Sequence, residues 1–368
     1  MLTPDFPPAH GGIQQLAHRV TLGLDRFQAE VVTLAAPGAE RFDSGGELAM
    51  RRVGSARLPR SARNVALNAR SLAVAARRRP DVTLSFHTVT SPAAAAIRAA
   101  LRVPTIQYFY ANEIGHRPRL ASFAARRADA AIAISSYTLS LLAGCGVPTG
   151  GIAVIPPGVD LPAETAPLDH ERPTIVTVAR MAEPYKGHDV MLHALARVRA
   201  AVPDFEWVVI GDGPLRAGLQ AMAAEVGVAD CVRFLGAVEN AERDLWLRRA
   251  DVFAMPSRLP GPGLAGEGFG IVFTEAGAFG KPVVAGNVGG ALDAVSNGET
   301  GLLIDPTDPD AVAEALVRLL CDRDLAARMG RAGSERAAAM AWPQIAARVQ
   351  AIALDLLARP RAGASEPA

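Results

Sequence analysis

Lysine is nearly absent from this 368-residue chain: only Lys186 and Lys281 occur, and every other basic residue is arginine. Cysteine is scarce as well. Cys145, Cys231 and Cys321 are odd in number, far apart and outside any metal-ligand spacing, so a disulfide framework and a bound metal are not expected. They read as reduced, buried thiols of a cytosolic protein. No apolar run reaches the roughly 18 residues that a membrane-spanning helix needs. A secretory leader is not expected either, because Asp5 and a proline-rich turn occupy its place. The length allows two domains of ordinary size, each with its own core.

A strong net charge is also missing. The formal balance is +1, which singles out no class of partner, and a nucleic-acid partner is not expected. The charge is nevertheless unevenly spread. Residues 1 to 160 hold 18 Arg and 10 Asp or Glu, leaving 20 basic and 27 acidic residues for the remainder. Nine arginines lie between Arg51 and Arg79 without one acidic residue. Within that run, residues 61 to 79 place Val65, Leu67, Leu72 and Val74 among Arg63, Arg70, Arg77, Arg78 and Arg79, which predicts a basic, partly amphipathic helix. Two readings stand. It is a solvated helix of an arginine-rich protein, or a patch for an anionic membrane surface, where each basic residue contributes roughly 1 kcal/mol.

The chain is organised around residues 266 to 276, where Glu267 and Glu275, with seven residues between them, flank Gly268, Phe269, Gly270 and Ile271. The two glycines disfavour a helix there, each at a cost of roughly 1 kcal/mol against alanine. From Thr274, a possible cap, the sequence turns helix-friendly. This predicts a loop of bare amides opening into a helix whose first turn carries a carboxylate. Amides at a helix N-terminus attract anions, and a carboxylate beside them suits hydroxyls, so the pattern fits a ligand with both phosphates and sugar rings.

Apolar stretches that read as strands alternate with helical patterns. Residues 31 to 34, 82 to 86, the start of 104 to 113 and 129 to 135 are such stretches in the first half, and a proline-marked linker covers residues 161 to 173. Residues 174 to 181, 206 to 213 with a glycine-rich turn, 232 to 236 and 251 to 256 follow. This β-α repetition predicts parallel, doubly wound sheets. Residues 104 to 113 read as a strand running into a loop, and residues 308 to 333 as helical. Near the start, Gly11 and Gly12 allow close approach of backbone amides and lead into a helix with Leu16, Val20 and Leu24 on one face.

The residues from 266 to 276 resemble the Glu-x7-Glu signature of retaining glycosyltransferases with the GT-B fold, and their surroundings fit family 4. Met255-Pro256-Ser257-Arg258 precedes the signature; Gly280-Lys281-Pro282, Gly289-Gly290 and Gly298-Glu299-Thr300-Gly301 follow it. The resemblance is specific from about Thr174 to Trp342. It implies two Rossmann-like domains facing a central cleft: an acceptor domain over residues 1 to 160, a nucleotide-sugar domain over 174 to 341, a helix over 342 to 358 crossing back to the first, and a disordered tail from 359. Related chains usually begin with several apolar residues of a first strand. Here almost none precede Gly11, so a truncated start is an expectation too.

By the same resemblance, Arg180 and Lys186 form a clamp on the donor diphosphate, with Gly11 and Gly12 beneath it. Glu267 holds hydroxyls of the donor sugar, with the amides of Gly268, Phe269, Gly270 and Ile271 beside it. Glu275 accepts from the ribose, and the base sits near Gly236 and Val238. Tyr110 stands where close relatives usually have histidine, and His87 could supply that function. The flanking text looks most like the mannosyltransferases acting on phosphatidylinositol mannosides. This implies transfer of a hexose, mannose first, from GDP-mannose or alternatively a UDP-sugar to a glycolipid or glycan hydroxyl, with retention and without a metal or other cofactor. The implied place is cytoplasmic, at the inner face of the cell membrane if the arginine run binds lipid. A transferase for a soluble natural-product acceptor and a non-catalytic nucleotide-sugar-binding protein remain as alternatives.

Overall fold

The computed structural model describes residues 1–9, 11–55, 57–168, 171–261 and 265–359. The expected disordered tail, beyond residue 359, and residues 169 and 170 of the expected linker lie outside the described residues. The chain forms two compact units, one of Met1–Gly158 with the segment from Trp342 onward, the other of Val159–Ala341.

The first unit runs α1 (Gly12–Leu22), β1 (Glu30–Leu34), α2 (Ala39–Ser44), β2 (Ala49–Val53), α3 (Arg60–Arg78), β3 (Thr83–Ser85), α4 (Ser91–Leu101), β4 (Thr105–Phe109), α5 (Ala111–His116), α6 (Pro118–Arg127), β5 (Ala130–Ala133), α7 (Ser136–Gly144) and β6 (Ile152–Val154). β1 pairs with β2, and β3 to β6 pair in sequence, all parallel. Leu2 joins the two sets through parallel bridges to Val32 and Ser85. Its N–H donates to Leu84 O at 2.8 Å and its carbonyl accepts from Phe86 N at 2.9 Å. The few residues before the proline turn thus make the central strand position, though the sequence reads there as almost no strand. Counting Leu2 as the first strand, the order runs 3-2-1-4-5-6-7. The core gathers Leu2, Val32, Leu34, Leu67, Ile97 and Val103.

The second unit runs β7 (Thr174–Val178), α8 (His188–Ala201), β8 (Glu206–Ile210), α9 (Arg216–Glu225), β9 (Val232–Gly236), α10 (Asn240–Arg249), β10 (Val252–Met255), α11 (Ile271–Ala278), β11 (Val283–Gly286), α12 (Ala291–Ala294), β12 (Gly301–Ile304), α13 (Pro309–Cys321) and α14 (Arg323–Ala339). Its six strands are parallel in the order β12-β11-β10-β7-β8-β9. Alternate strand residues Ile175, Trp207, Val209, Val252, Ala254 and Val284 pack with Leu195 of α8 and Leu316 of α13. Burial of both sheet faces accounts for strands that read as continuous apolar runs. The helical stretch expected over 308 to 333 is divided, because Asp322 caps α14 by accepting from Leu325 N at 2.9 Å. The last helix, α15 (Trp342–Ala358), belongs to the first unit, where it packs on α1.

Four local expectations need correction. The basic helix exists as α3, but its buried face is Leu67, Ser71 and Ala75, whereas Val65 is 70% exposed. Small residues at a spacing of four let α3 lie close to α4 and β1, and the Ser71 hydroxyl is satisfied by Leu67 O at 2.8 Å. A reading by hydrophobicity overlooks such a face. The arginine run is also not uniform. Arg51 and Arg52 lie on β2 and pair with Glu30 and Asp43, both at 2.8 Å, while Arg63 donates to Ala35 O at 2.6 Å. The strand after Pro104 enters helix α5 directly rather than a loop, since Glu113 caps it by accepting from Tyr110 N at 3.1 Å. Of the cysteines only Cys231 is buried; Cys145 is half-buried and Cys321 exposed.

Replacing Leu67 by Ala should lower stability by about 2–5 kcal/mol, and Val65→Ala by less than about 0.5 kcal/mol. Urea denaturation of the two variants reads the difference, and the reverse ranking would put the other face of α3 inward.

Candidate active site

In an open parallel sheet, ligands bind beyond the carboxyl ends of the strands where the strand order reverses. In the second unit that point lies between β7 and β10. Arg180 follows β7, and a short 3-10 turn, Pro184–Lys186, leads through Gly187 into α8. Gly187 has φ 79°, and a Cβ there would overlap Pro256 O. The loops after β7 and β10 are therefore pressed backbone to backbone. Arg258 adds a second tie: its guanidinium donates twice to Asp189, at 2.9 and 2.8 Å, and its N–H donates to Tyr185 O at 2.8 Å.

Lys186 Nζ donates to Glu267 Oε2, and both side chains are largely buried. The ammonium also lies 5.2 Å from the centre of the Tyr185 ring. Burial acts to lower the Lys186 pKa, but the Glu267 charge and hydrogen bond outweigh it and the net shift is upward. Lys186 is thus a fixed cation. Arg180 is not in that pair; its side chain is 75% exposed and donates to Glu183 Oε1 at 2.7 Å. Arg180, Glu183, Lys186 and Glu267 all act electrostatically on the Tyr185 phenol, whose pKa is raised mainly by burial. His188, the first residue of α8, is held neutral, with burial taking its pKa down to about 4.

Glu267 is anchored from behind, its carbonyl accepting from Gly290 N at 2.8 Å. A Cβ at Gly290 would overlap Gly268 O. Phe269 is buried, Gly270 has φ 88° and caps α11, and Ile271 is the first helical residue. The cap expected at Thr274 is therefore corrected. Glycine's freedom at positive φ starts the helix three residues earlier, and the Thr274 hydroxyl donates to Ile271 O at 2.8 Å. Glu275 consequently lies in the second turn of α11, not the first. Of the first-turn amides, that of Phe273 already donates to Gly270 O at 2.9 Å.

Glu275 faces α10, where Arg243 Nη1 stands 3.6 Å from Glu275 Oε1. Burial raises the Glu275 pKa; Arg243 works against the shift, while Asp244 and Asp160 add to it. Gly236 ends β9 with φ 78°, its carbonyl accepting from Gly211 N at 2.8 Å, and the half-buried Val238 precedes α10. Arg180, Lys186, Gly236, Val238, Glu267 and the start of α11 all lie at carboxyl ends of strands of one sheet. Tyr185, Arg243 and the Arg258–Asp189 pair were not singled out from sequence. Only Arg258, beside the Met-Pro-Ser text, carried a usable signal.

In the first unit the reversal falls between Leu2 and β3. Gly11 and Gly12 open α1 beyond the Leu2 segment, and His87 follows β3. His87 Nδ1 is 2.9 Å from Glu113 Oε2, and its Nε2 is 3.9 Å from Asp5 Oδ2. Val89 N also lies 3.1 Å from Nδ1. One ring nitrogen cannot donate to Glu113 and accept from Val89 at once, and the nearby carboxylates favour the donating form. Burial alone lowers the His87 pKa, but Glu113 and Asp5 carry it upward. Glu113 further accepts from Thr88 N at 2.8 Å and Tyr110 N at 3.1 Å. Tyr110 is buried, stacks on Tyr108, and its hydroxyl has no partner among the described residues; burial raises its pKa well above the ordinary value. It can donate a hydrogen bond but not serve as a base near neutrality. Glu113, the hub of this cluster, was missed because a lone acidic residue after a strand has no motif.

Comparison with known proteins bears on these two sites. A model described as "Glycosyltransferase Family 4" matches residues 10–162, and one described as "Glycosyl transferases group 1" matches residues 163–336. A Mycobacterium tuberculosis protein named GDP-mannose-dependent alpha-(1-6)-phosphatidylinositol monomannoside mannosyltransferase is 35% identical over 376 residues, covering 95% of this chain and 96% of its own. The chain belongs to glycosyltransferase family 4. A Mycolicibacterium smegmatis member of the same name is 36% identical over 364 residues, covering 90% and 92% of the two chains. Among solved structures, Anabaena Alr3699/HepE in complex with UDP superposes with a TM-score of 0.80 at 21% identity, over 96% of this chain and 98% of its own. The fold is GT-B, built from two Rossmann-like domains.

The raised Glu275 pKa has a consequence for stability. As pH rises past the ordinary glutamate value near 4.3, the unfolded chain releases this proton before the folded chain does, and stability is lost until the folded chain releases it too. Ionised Glu275 therefore works against folding at neutral pH. Glu275→Gln should raise the melting temperature of the ligand-free protein at pH 7.5, with the gain fading toward pH 4. A lower Tm at pH 7.5 would mean that Arg243 outweighs burial.

Proposed function

We propose that this family 4 member transfers mannose from GDP-mannose to a lipid-linked acceptor of the phosphatidylinositol mannoside class. The observation that carries this reading is the Lys186–Glu267 pair at the strand-order reversal of the second unit, in a chain 35% identical along almost its whole length to a protein named for that donor and acceptor. In this reading Lys186 and Arg180 take the diphosphate, whose negative charge grows as the sugar departs. Fixed cations stabilise such charge without reorganising, so the reaction needs no protein-held metal. Glu267 and the amides of Gly268 to Ile271 hold the sugar, Glu275 accepts from the ribose, and the base lies near Gly236 and Val238. Within the first unit, Gly11 and Gly12 open α1 with bare amides, and His87, Tyr110 and Glu113 line the reaction side of the acceptor domain.

Retention follows if the acceptor attacks the face from which the diphosphate leaves, with the leaving phosphate taking the acceptor proton. Incubating the chain with GDP-mannose and phosphatidylinositol mannoside vesicles, with and without EDTA, tests donor, acceptor and metal together, and NMR of the product reads the anomeric configuration. The expected product is α-linked and insensitive to EDTA. Transfer from UDP-sugars alone, or a β-linked product, would overturn the corresponding part. Lys186→Ala and Arg180→Ala should each lower kcat/KM by about tenfold to a hundredfold, the loss of one charge-assisted contact. Wild-type rates in both would remove the clamp.

The acceptor suggests that the protein works at the cytoplasmic face of a membrane. Among the described residues no helix is long and apolar enough to cross one. Support for surface binding comes from α3 and its approach, where Arg57, Arg60, Arg70, Arg77, Arg78 and Arg79 are exposed together with Leu58, Val65 and Leu72. Exposed arginines around apolar side chains suit an anionic leaflet. Sedimentation with vesicles containing phosphatidylinositol should deplete the supernatant at low salt, and neutral vesicles should not. Equal recovery with both would leave α3 a solvated helix.

A further inference from the structure

Glu275 has an unusual environment for a carboxylate. Its side chain is 13% exposed, and it accepts no hydrogen bond from any described residue. Its one close countercharge is Arg243, 3.6 Å away. A carboxylate so placed keeps its acceptor sites open at a cost in stability, because a buried charge is normally paired and hydrogen-bonded. Donors supplied by a ligand would complete it.

Arg243 is itself directed rather than free. Its Nε and Nη2 donate to Asp244 Oδ1 at 2.9 and 2.8 Å. That grip turns the third nitrogen, Nη1, toward α11 and Glu275. The charged groups acting on Glu275 are Arg243 and Asp244 from α10 and Asp160 from the segment before β7. From α14, which packs on α11, Arg336 donates instead to the Asp293 and Ala294 carbonyls. Arg243 is thus the cation that opposes two neighbouring carboxylates at this spot.

We propose that Arg243 is the positioning residue for ribose recognition: held by Asp244, it orients Glu275 and keeps it charged, so that Glu275 can accept from the vicinal hydroxyls of the donor nucleotide. The assignment rests on the reading of Glu275 as the ribose acceptor. Vicinal hydroxyls donate well to an ionised carboxylate and poorly to a protonated one. Arg243 does not touch the ligand in this arrangement; it acts through Glu275.

The test is calorimetric titration with GDP and with 2′,3′-dideoxy-GDP, using wild type, Glu275→Gln, Arg243→Met, Arg243→Lys and the Glu275→Gln/Arg243→Met double variant. Wild type should prefer GDP by about tenfold, and Glu275→Gln should abolish the preference. Arg243→Met should shrink it, and raising the pH should recover part of it, because without the cation Glu275 gives up its proton less readily. Arg243→Lys, which keeps the charge, should retain most of the preference. The double variant should bind both nucleotides as Glu275→Gln alone does.

Loss of affinity for both nucleotides alike in Arg243→Met would indicate a merely structural role and overturn the inference. So would an effect that adds to that of Glu275→Gln. If Glu275→Gln keeps the full preference for GDP, the ribose reading of Glu275 fails. If Glu275→Gln loses it while Arg243→Met does not, only the role of Arg243 fails. Matching circular dichroism melts of the Lys and Met variants separate misfolding from either result.

Discussion

A lysine and a glutamate that share one largely buried position, Lys186 and Glu267, set the terms for the loops around them. Taking both charges out of water costs several kcal/mol per ion, and their attraction repays this only when the geometry is tightly held. The structure holds it from three directions. Gly187 lies against Pro256, Gly290 lies against Gly268, and Arg258 grips Asp189 while its own amide reaches Tyr185. Side-chain rigidity at this place is therefore a product of backbone contact, and backbone contact requires glycine. Lys186 is thereby a cation already desolvated and already oriented.

The two units use one topology with different side chains. In each, the candidate residues gather where the strand order reverses. In the second unit that place carries cations held against carboxylates, Lys186 on Glu267 and Arg180 on Glu183. In the first it carries Glu113, a buried carboxylate that accepts from the Thr88 and Tyr110 amides and faces His87. A histidine whose proton is shared with a carboxylate keeps a defined ring orientation.

Much of this was readable from residue order. Apolar runs of four to six residues alternating with helical stretches revealed the parallel sheets, since strands covered on both faces have no polar alternation to lose. The spacing of Glu267 and Glu275 around glycines marked the loop and the helix after it. What escaped notice depended on interactions between distant positions or on small residues. Arg243 lies 32 positions before Glu275 and in no motif, so their pairing exists only once α10 and α11 are packed. The buried face of α3 rests on Ser71 and Ala75, which hydrophobicity does not register. The start of α11 moved because Gly270 at positive φ ends the loop more sharply than Thr274 would. The Leu2 position was obscured because a strand bonded on both sides can be very short and still hold a sheet together.

The first unit is discontinuous in sequence, and the second is a single segment. A chain made from its N-terminus can therefore complete the second unit while the first still lacks α15, whose Ile345, Ala346 and Val349 are buried in the finished structure. Until that helix emerges, the face of α1 that it covers has no partner. Domains generally fold as units during synthesis, and here the earlier-made one closes last. The first unit is consequently the later to mature, and loss of the final helix would strip a packed element from the first unit and none from the second.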